Sequence, residues 1–322
     1  MVRRFRGLPV AGAIAVAALL AAACSSGGGT AAPAGLEKTN LTVAAVPALD
    51  SAGLYIAQQR GLFAAEGLHV TIVPAISSAT VIAAQLAGKY DVTAGAYVAY
   101  MIADAVQHAN LRVLAPASNM APLTQEVMIP AGSPIQTVAG LKRKKIGVNA
   151  LNNIGTLLVS ALLADNGLSP HDVTFVAIPF PAMAAALKAH TVDAAWLPEP
   201  FITGAEESIG ARSLADVDQG ATQSLPVSGY IVTQSWLDKY PNTAAAFRRA
   251  VLKAQAIANT NLAAVQDGMV AYGGASRTTA QIAAEPTYPL QSNSALLQRI
   301  AQLMEQFGLT QQVFNASSIL RN

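Results

Sequence analysis

From residue 41 onward, short apolar runs alternate with stretches whose apolar positions recur every three or four residues, a pattern that predicts strands and helices in turn. Residues 41–46 predict a first strand, followed by a loop through Pro47 and a helix from about Ala52. Strands are predicted over 69–73, 90–93 (ending at Ala94-Gly95), 111–115 and 126–130, with helices over 78–86, where Ser78 is the expected cap, and 98–108. After Gly132-Ser133-Pro134 a second series opens, with strands at 145–148, 173–178 and 192–196 around helices at 154–165 and 181–189. Residues 229–232 read as a strand returning elsewhere, and the remainder reads as helical. Such alternation defines an α/β chain with largely parallel sheets.

Two helices near the end are well marked. Phe247, Val251, Ala254, Ala258 and Leu262 share one face, with Asn242 or Thr243 as cap after Pro241. Ser294 is the expected cap of the second, whose Leu296, Ile300, Leu303, Met304 and Phe307 form an apolar stripe.

The beginning of the chain differs from the rest. Arg3, Arg4 and Arg6 precede an apolar stretch from Val10 to Ala22, then Cys24, then Ser25-Ser26-Gly27-Gly28-Gly29. The apolar run falls short of the ~20 residues a membrane-crossing helix needs. Its layout resembles a bacterial lipoprotein signal, which implies cleavage after residue 23, acylation of Cys24, a flexible tether over 24–39 and an extracytoplasmic, lipid-anchored protein. Ala21 stands where such signals more often have leucine. Removing the leader takes three arginines from a total of 20 basic against 18 acidic residues, leaving a net charge of −1. No basic field for nucleic acid remains, and Lys142-Arg143-Lys144-Lys145 reads as a solvated strand entrance. The 52% apolar composition is rich in alanine and supports packed helices. Cys24 is the only cysteine, so no disulfide can form within the chain.

Three stretches carry a resemblance. The first is Asp50-Ser51-Ala52-Gly53-Leu54-Tyr55-Ile56-Ala57 through Gly61-Leu62-Phe63 to Glu66-Gly67-Leu68. The second is Gly132-Ser133-Pro134-Ile135 leading to Leu141-Lys142 and Lys145-Ile146-Gly147-Val148. The third is Asp193-Ala194-Ala195-Trp196-Leu197-Pro198-Glu199-Pro200-Phe201. In this order they resemble the type II periplasmic-binding-protein-like family that serves nitrate, sulfonate, taurine and thiamine-pyrimidine ABC importers. The resemblance implies two α/β lobes, each a mainly parallel sheet flanked by helices. Lobe I would comprise 40–130 and 226–322 and lobe II 131–225, joined by a two-strand hinge. It also implies a small-molecule ligand in the cleft, delivery to an ABC permease with its ATPase, and a monomeric chain.

In such folds ligands lie at the carboxyl ends of strands. The candidate ligand-binding residues are therefore Leu49 and Asp50, Gly95, Asn119, Asn149, the helix start Asn153, Gly155 and Thr156, then Trp196 and Glu199. Asp50 fits a helix cap as well as a ligand contact. The 153–156 segment offers backbone N–H groups at a positive helix end. Trp196 reads either as core or as a stacking surface, and Glu199, held between Pro198 and Pro200, as a surface turn or as an acceptor for ligand amino groups.

No Lys or Arg falls on these loops, whereas two carboxylates do. That argues against nitrate or a dianion and favours a thiamine-pyrimidine precursor or another amino-bearing planar compound, with a sulfonate or taurine next because backbone donors can hold one. A fungal pyrimidine synthase of this fold is described as carrying a cysteine-rich iron motif. Here His69, His108, His171 and His190 are scattered, no metal-ligand spacing exists, and no Gly-x-Ser-x-Gly elbow occurs. The expectation is a binding protein with no catalytic residue, cofactor or metal; a ligand-sensing lipoprotein is the other alternative.

Overall fold

The computed structural model describes residues 35–320. The leader and Cys24, with its expected acylation, lie outside the described residues. In chain order the strands are β1 (Asn40–Ala45), β2 (His69–Pro74), β3 (Val92–Ala96), β4 (Leu111–Asn119), β5 (Gln125–Ile129), β6 (Lys145–Val148), β7 (Thr174–Ala177), β8 (Ala194–Pro198), β9 (Arg212–Asp216) and β10 (Pro226–Thr233). They form two five-stranded sheets, ordered β2-β1-β3-β10-β4 and β7-β6-β8-β5-β9.

The protein is α/β, but each sheet is mixed. β1 runs parallel to β2 and β3, and β6 to β7 and β8; β10 runs antiparallel to β3 and β4, and β5 to β8 and β9. The expected division at 130/131 therefore needs correction. Residues 125–129 bond to β8 and β9, so the chain crosses to the second sheet between Asn119 and Gln125 and returns between Asp216 and Pro226.

Apolar burial explains the elements. Leu41, Val43 and Ala45 of β1 enter one core with Tyr55, Phe63 and Phe247, while Ala44 points to the other face, as a period of two requires. The helix Pro241–Ala258 presents Phe247, Val251, Ala254 and Ala258 to that core. Leu262 does not continue the stripe: it is 51% exposed and opens a separate helix. At the end of the preceding helix the Asn259 side chain bonds the backbone of Tyr288, Nδ2 donating to the carbonyl at 2.8 Å and Oδ1 accepting from the N–H at 3.2 Å.

The expected caps shift by a residue or more. Ser77, not Ser78, caps Ser78–Leu86, and Asn293, not Ser294, caps Ser294–Gln306. Tyr240 precedes Pro241–Ala258, and its free donors are taken by a distant carboxylate: Asn242 and Thr243 N–H groups donate to Glu37 at 3.1 and 3.0 Å. Leu36 also packs on the core, so residues 36–39 belong to the folded body rather than to the expected tether.

Phe247 is fully buried, stacked 5.2 Å from Phe63 and edge-on to Tyr230 at 5.8 Å. Phe247→Ala is expected to lower stability by about 3–5 kcal/mol in urea denaturation.

Candidate functional site

The carboxyl ends of β1, β3, β6 and β8 converge on one gap between the sheets. There Asp50, Gly95, Asn149, Asn153 and Trp196, all expected on sequence grounds, line a single narrow cavity of about 30 Å³. Ser78, Phe180, Pro198 and Ser228 complete much of its wall. No Lys or Arg side chain lines it.

Asp50 is half-buried in a short 3-10 turn and accepts a hydrogen bond from Ser118 Oγ at 2.6 Å. Burial pushes its carboxyl up to about 6, against the lowering influence of that bond. Ser118 Oγ also lies 2.9 Å from Ser228 Oγ. Since the single Ser118 proton goes to the carboxylate, Ser228 donates to Ser118 and turns its lone pairs to the cavity. Asp50 thus serves as a carboxylate in the wall; no side-chain cap bond involves it.

Gly95 is explained by contact: a Cβ there would collide with Ser78 Oγ, which accepts the Ala96 N–H at 2.7 Å. On the opposite wall, Asn153 caps the helix Ile154–Asp165 by accepting from Ile154 N–H at 2.8 Å, so one of that helix's free donors is already used. Asn149 Oδ1, Thr156 Oγ1 and Trp196 Nε1 are buried without a hydrogen-bond partner. Trp196 is 2% exposed, and its six-membered ring lies where a Cβ on Gly155 would be. Phe180 sits tilted against it with centroids 5.6 Å apart. Trp196 is both core and cavity wall, and Gly155 contributes by making room for it.

Five expected residues stand off the wall. Leu49 is buried, its N–H donating to the Glu199 carbonyl at 3.2 Å. Asn119 exchanges backbone bonds with Thr287 at 3.0 and 3.2 Å. Gly155 and Thr156 lie just behind the wall residues Asn153 and Ile154. Glu199 departs furthest from expectation: one oxygen accepts from Thr203 Oγ1 at 2.8 Å and Ala284 N–H at 3.3 Å, the other from Thr203 N–H at 3.2 Å. Its acceptors are consumed by the start of the helix Phe201–Ile209 and by a segment across the gap.

Sequence reading passed over Ser78 and Ser228. Ser78 looked like a cap, and Ser228 enters only because β10 returns antiparallel between β3 and β4, a long-range pairing without a local signal. Among the described residues, no group of three His, Cys, Asp or Glu side chains could hold a metal ion, and no helix is long and apolar enough to cross a membrane.

Two mixed α/β sheets with a cavity between them define a protein of the periplasmic-binding-protein fold. A family model described as NMT1/THI5 like matches residues 48–299, and the chain belongs to that family. The nitrate/nitrite binding protein NrtA of Nostoc sp. is 28% identical over 295 residues, covering 79% of this chain and 66% of that relative, so this chain spans just under two thirds of its length. The alkanesulfonate-binding protein SsuA from Xanthomonas axonopodis pv. citri, solved bound to MOPS, superposes with a TM-score of 0.76 at 18% identity over 89% of this chain and 99% of that one. The desulfurization enzyme DSZB superposes at 0.68, with 17% identity over 88% and 96%.

Burial also raises the carboxyls of Glu126 and Glu285, each to about 7. A carboxyl whose folded value lies above its unfolded one contributes stability below the unfolded value and loses it as pH rises through the folded value. The ligand-free melting temperature is therefore expected to rise as pH is lowered from about 7.5 to about 5. A pH series of melting curves with no rise over that range would refute these assignments.

Proposed function

We propose that this chain is the extracytoplasmic solute-binding component of an ABC importer, tethered to the membrane through an acylated Cys24. It takes up one small organic molecule between lobes built on the two sheets and passes it to a permease and its ATPase. Family membership and the relatives named as binding proteins support the transport reading. The observation that carries the ligand class is a half-buried carboxylate, Asp50, in a cavity without a basic side chain.

Such a carboxylate favours a cationic or amino-bearing partner and opposes an anion brought up beside it. The unpartnered Asn149 Oδ1 and Trp196 Nε1 ask for a donor and an acceptor on the same ligand. An aminopyrimidine edge, as in a thiamine-pyrimidine precursor, offers both. Asp50, Asn149, Asn153, Trp196 and Ser228 are the contacts of this reading, and Glu199 serves as a tie between walls. A sulfonate such as taurine is the second reading, favoured by the start of Ile154–Asp165 in the wall. Catalysis on this fold, as DSZB illustrates, is the rival from another class. The one ionisable side chain in the cavity lining is Asp50, whose hydroxyl partner Ser118 is fully buried behind the wall.

Melting curves of protein lacking residues 1–24 test this with aminopyrimidines, small amines, sulfonates and nitrate. A ligand at about 100 times its Kd adds about 2.7 kcal/mol to stability. A shift with amino compounds is expected; a shift with anions alone sinks the amino-ligand reading.

Asp50→Asn is expected to weaken an amino ligand by about 1.5–3 kcal/mol in calorimetry. In the native protein, affinity for a cation should fall as pH drops through about 6, because the protonated carboxyl no longer attracts it. Unchanged affinity in the variant would place the amino group elsewhere.

A further inference from the structure

Gly155 stands in the first turn of the helix Ile154–Asp165, although glycine is a poorer helix former than alanine. Its φ lies outside the left-handed region, so conformational freedom does not account for it. Contact does. A Cβ built there would lie 2.3 Å from Trp196 Cε3, 2.8 Å from Cζ3 and 3.0 Å from Cδ2. Carbon atoms touch at about 3.5–4.0 Å, so the nearest approach is short by about 1 Å. All three atoms belong to the six-membered ring of the indole, whereas Nε1 belongs to the five-membered ring. The helix start therefore seats one end of the indole and leaves the N–H end free of it.

Neither side of this contact can give way without changing the cavity. Ile154, Leu157 and Leu158 are buried and Asn153 caps the helix, which holds its first turn in place. Trp196 lies in β8, the middle strand of its sheet, paired with Val127, and Phe180 tilts against its ring. Asn153, Ile154 and Trp196 all line the Asp50 cavity, which measures only about 30 Å³. In so small a space a shift of about 1 Å in either wall changes what can be bound. Trp196 Nε1 is buried with no hydrogen-bond partner, a costly state for a donor unless a ligand takes it.

We infer that Gly155 is a positioning residue for ligand recognition: it seats the Trp196 indole so that the N–H stands where an acceptor on the ligand meets it. The inference rests on the Asp50 cavity being the ligand site, and not on the ligand carrying an amino group. Both proposed ligand classes offer an acceptor, a pyrimidine ring nitrogen or a sulfonate oxygen.

The test is calorimetry on the full-length chain with two probes, 4-aminopyrimidine and methanesulfonate, using the unsubstituted protein, Gly155→Ala, Trp196→Phe and the double variant. Either single change removes or misplaces the indole N–H and should weaken the bound probe about tenfold. Because one residue acts through the other, the losses should not add: in the Trp196→Phe background, Gly155→Ala should change affinity by less than about twofold. The near-ultraviolet circular dichroism that Trp196→Phe removes should also change in ligand-free Gly155→Ala, which reports the displaced ring without any ligand. Additive losses, or an unchanged Trp196 signal, overturn the positioning role and spare the ligand reading. Binding of methanesulfonate alone, with losses that do not add, upholds the positioning role and overturns the amino ligand. If neither probe binds the unsubstituted protein, the ligand reading and the inference both fall. If Gly155→Ala does not fold, the double variant decides: folding restored by the smaller ring upholds the seat, and a double variant that stays unfolded overturns it.

Discussion

The site depends on two chain crossings held side by side. Met120 N–H donates to the Leu225 carbonyl at 2.9 Å, and Asn119 pairs with Pro226 where β4 meets β10. Because the crossings are neighbours, each sheet receives one antiparallel strand, β5 or β10, and the carboxyl ends of the parallel strands meet across one gap. Register matters here more than composition. A slip of one residue in β10 would turn Ser228 away from Ser118 and bring Ser228 or Tyr230 to the place where Gly229 now meets Tyr97, which leaves no room for a Cβ.

That gap holds groups that are uncomfortable without a ligand. Asp50 has one short bond from Ser118 and no cation, and Asn149 Oδ1, Thr156 Oγ1 and Trp196 Nε1 have no partner. Each unpaired buried group costs about 1–3 kcal/mol. Such a wall selects by refusal: a compound that leaves these groups unpaired inherits their cost, whereas apolar surface alone discriminates weakly.

Much of the fold was legible because parallel β-strands buried on both faces read as apolar runs, as at 41–46 and 145–148, and long helices show their period. Pairing partners were not legible. Residues 125–129 read as a strand in any sheet, and only the bonds to β8 and β9 decide which. Caps shifted where chemically equivalent neighbours compete, as at Ser77-Ser78 and Asn293-Ser294. In the candidate site, the loops after β1, β3, β6 and β8 were readable from strand order alone, which is why Asp50, Gly95, Asn149 and Trp196 meet. Glu199 was misleading because its partners, Thr203 and Ala284, come from helix geometry and from 85 residues away.

Glu199 shows how a residue serves a cleft without touching its contents. Its carboxylate holds Thr203 on its own side and Ala284 on the other, and its carbonyl accepts from Leu49, the neighbour of Asp50. Thr279 on Glu207 adds another bond between the same two sides. Neutral hydrogen bonds contribute about 0.5–1.5 kcal/mol net and those to a charged group about 1.5–3. A ligand moves such an equilibrium only by binding one state better than the other. Asp50 and Ser228 stand on one wall and Asn149 and Trp196 on the other, so a small molecule that pairs with all of them binds only when the walls are together. On the proposed binding reading, the division of polar groups between the two sheets couples pairing with the ligand to the meeting of the walls.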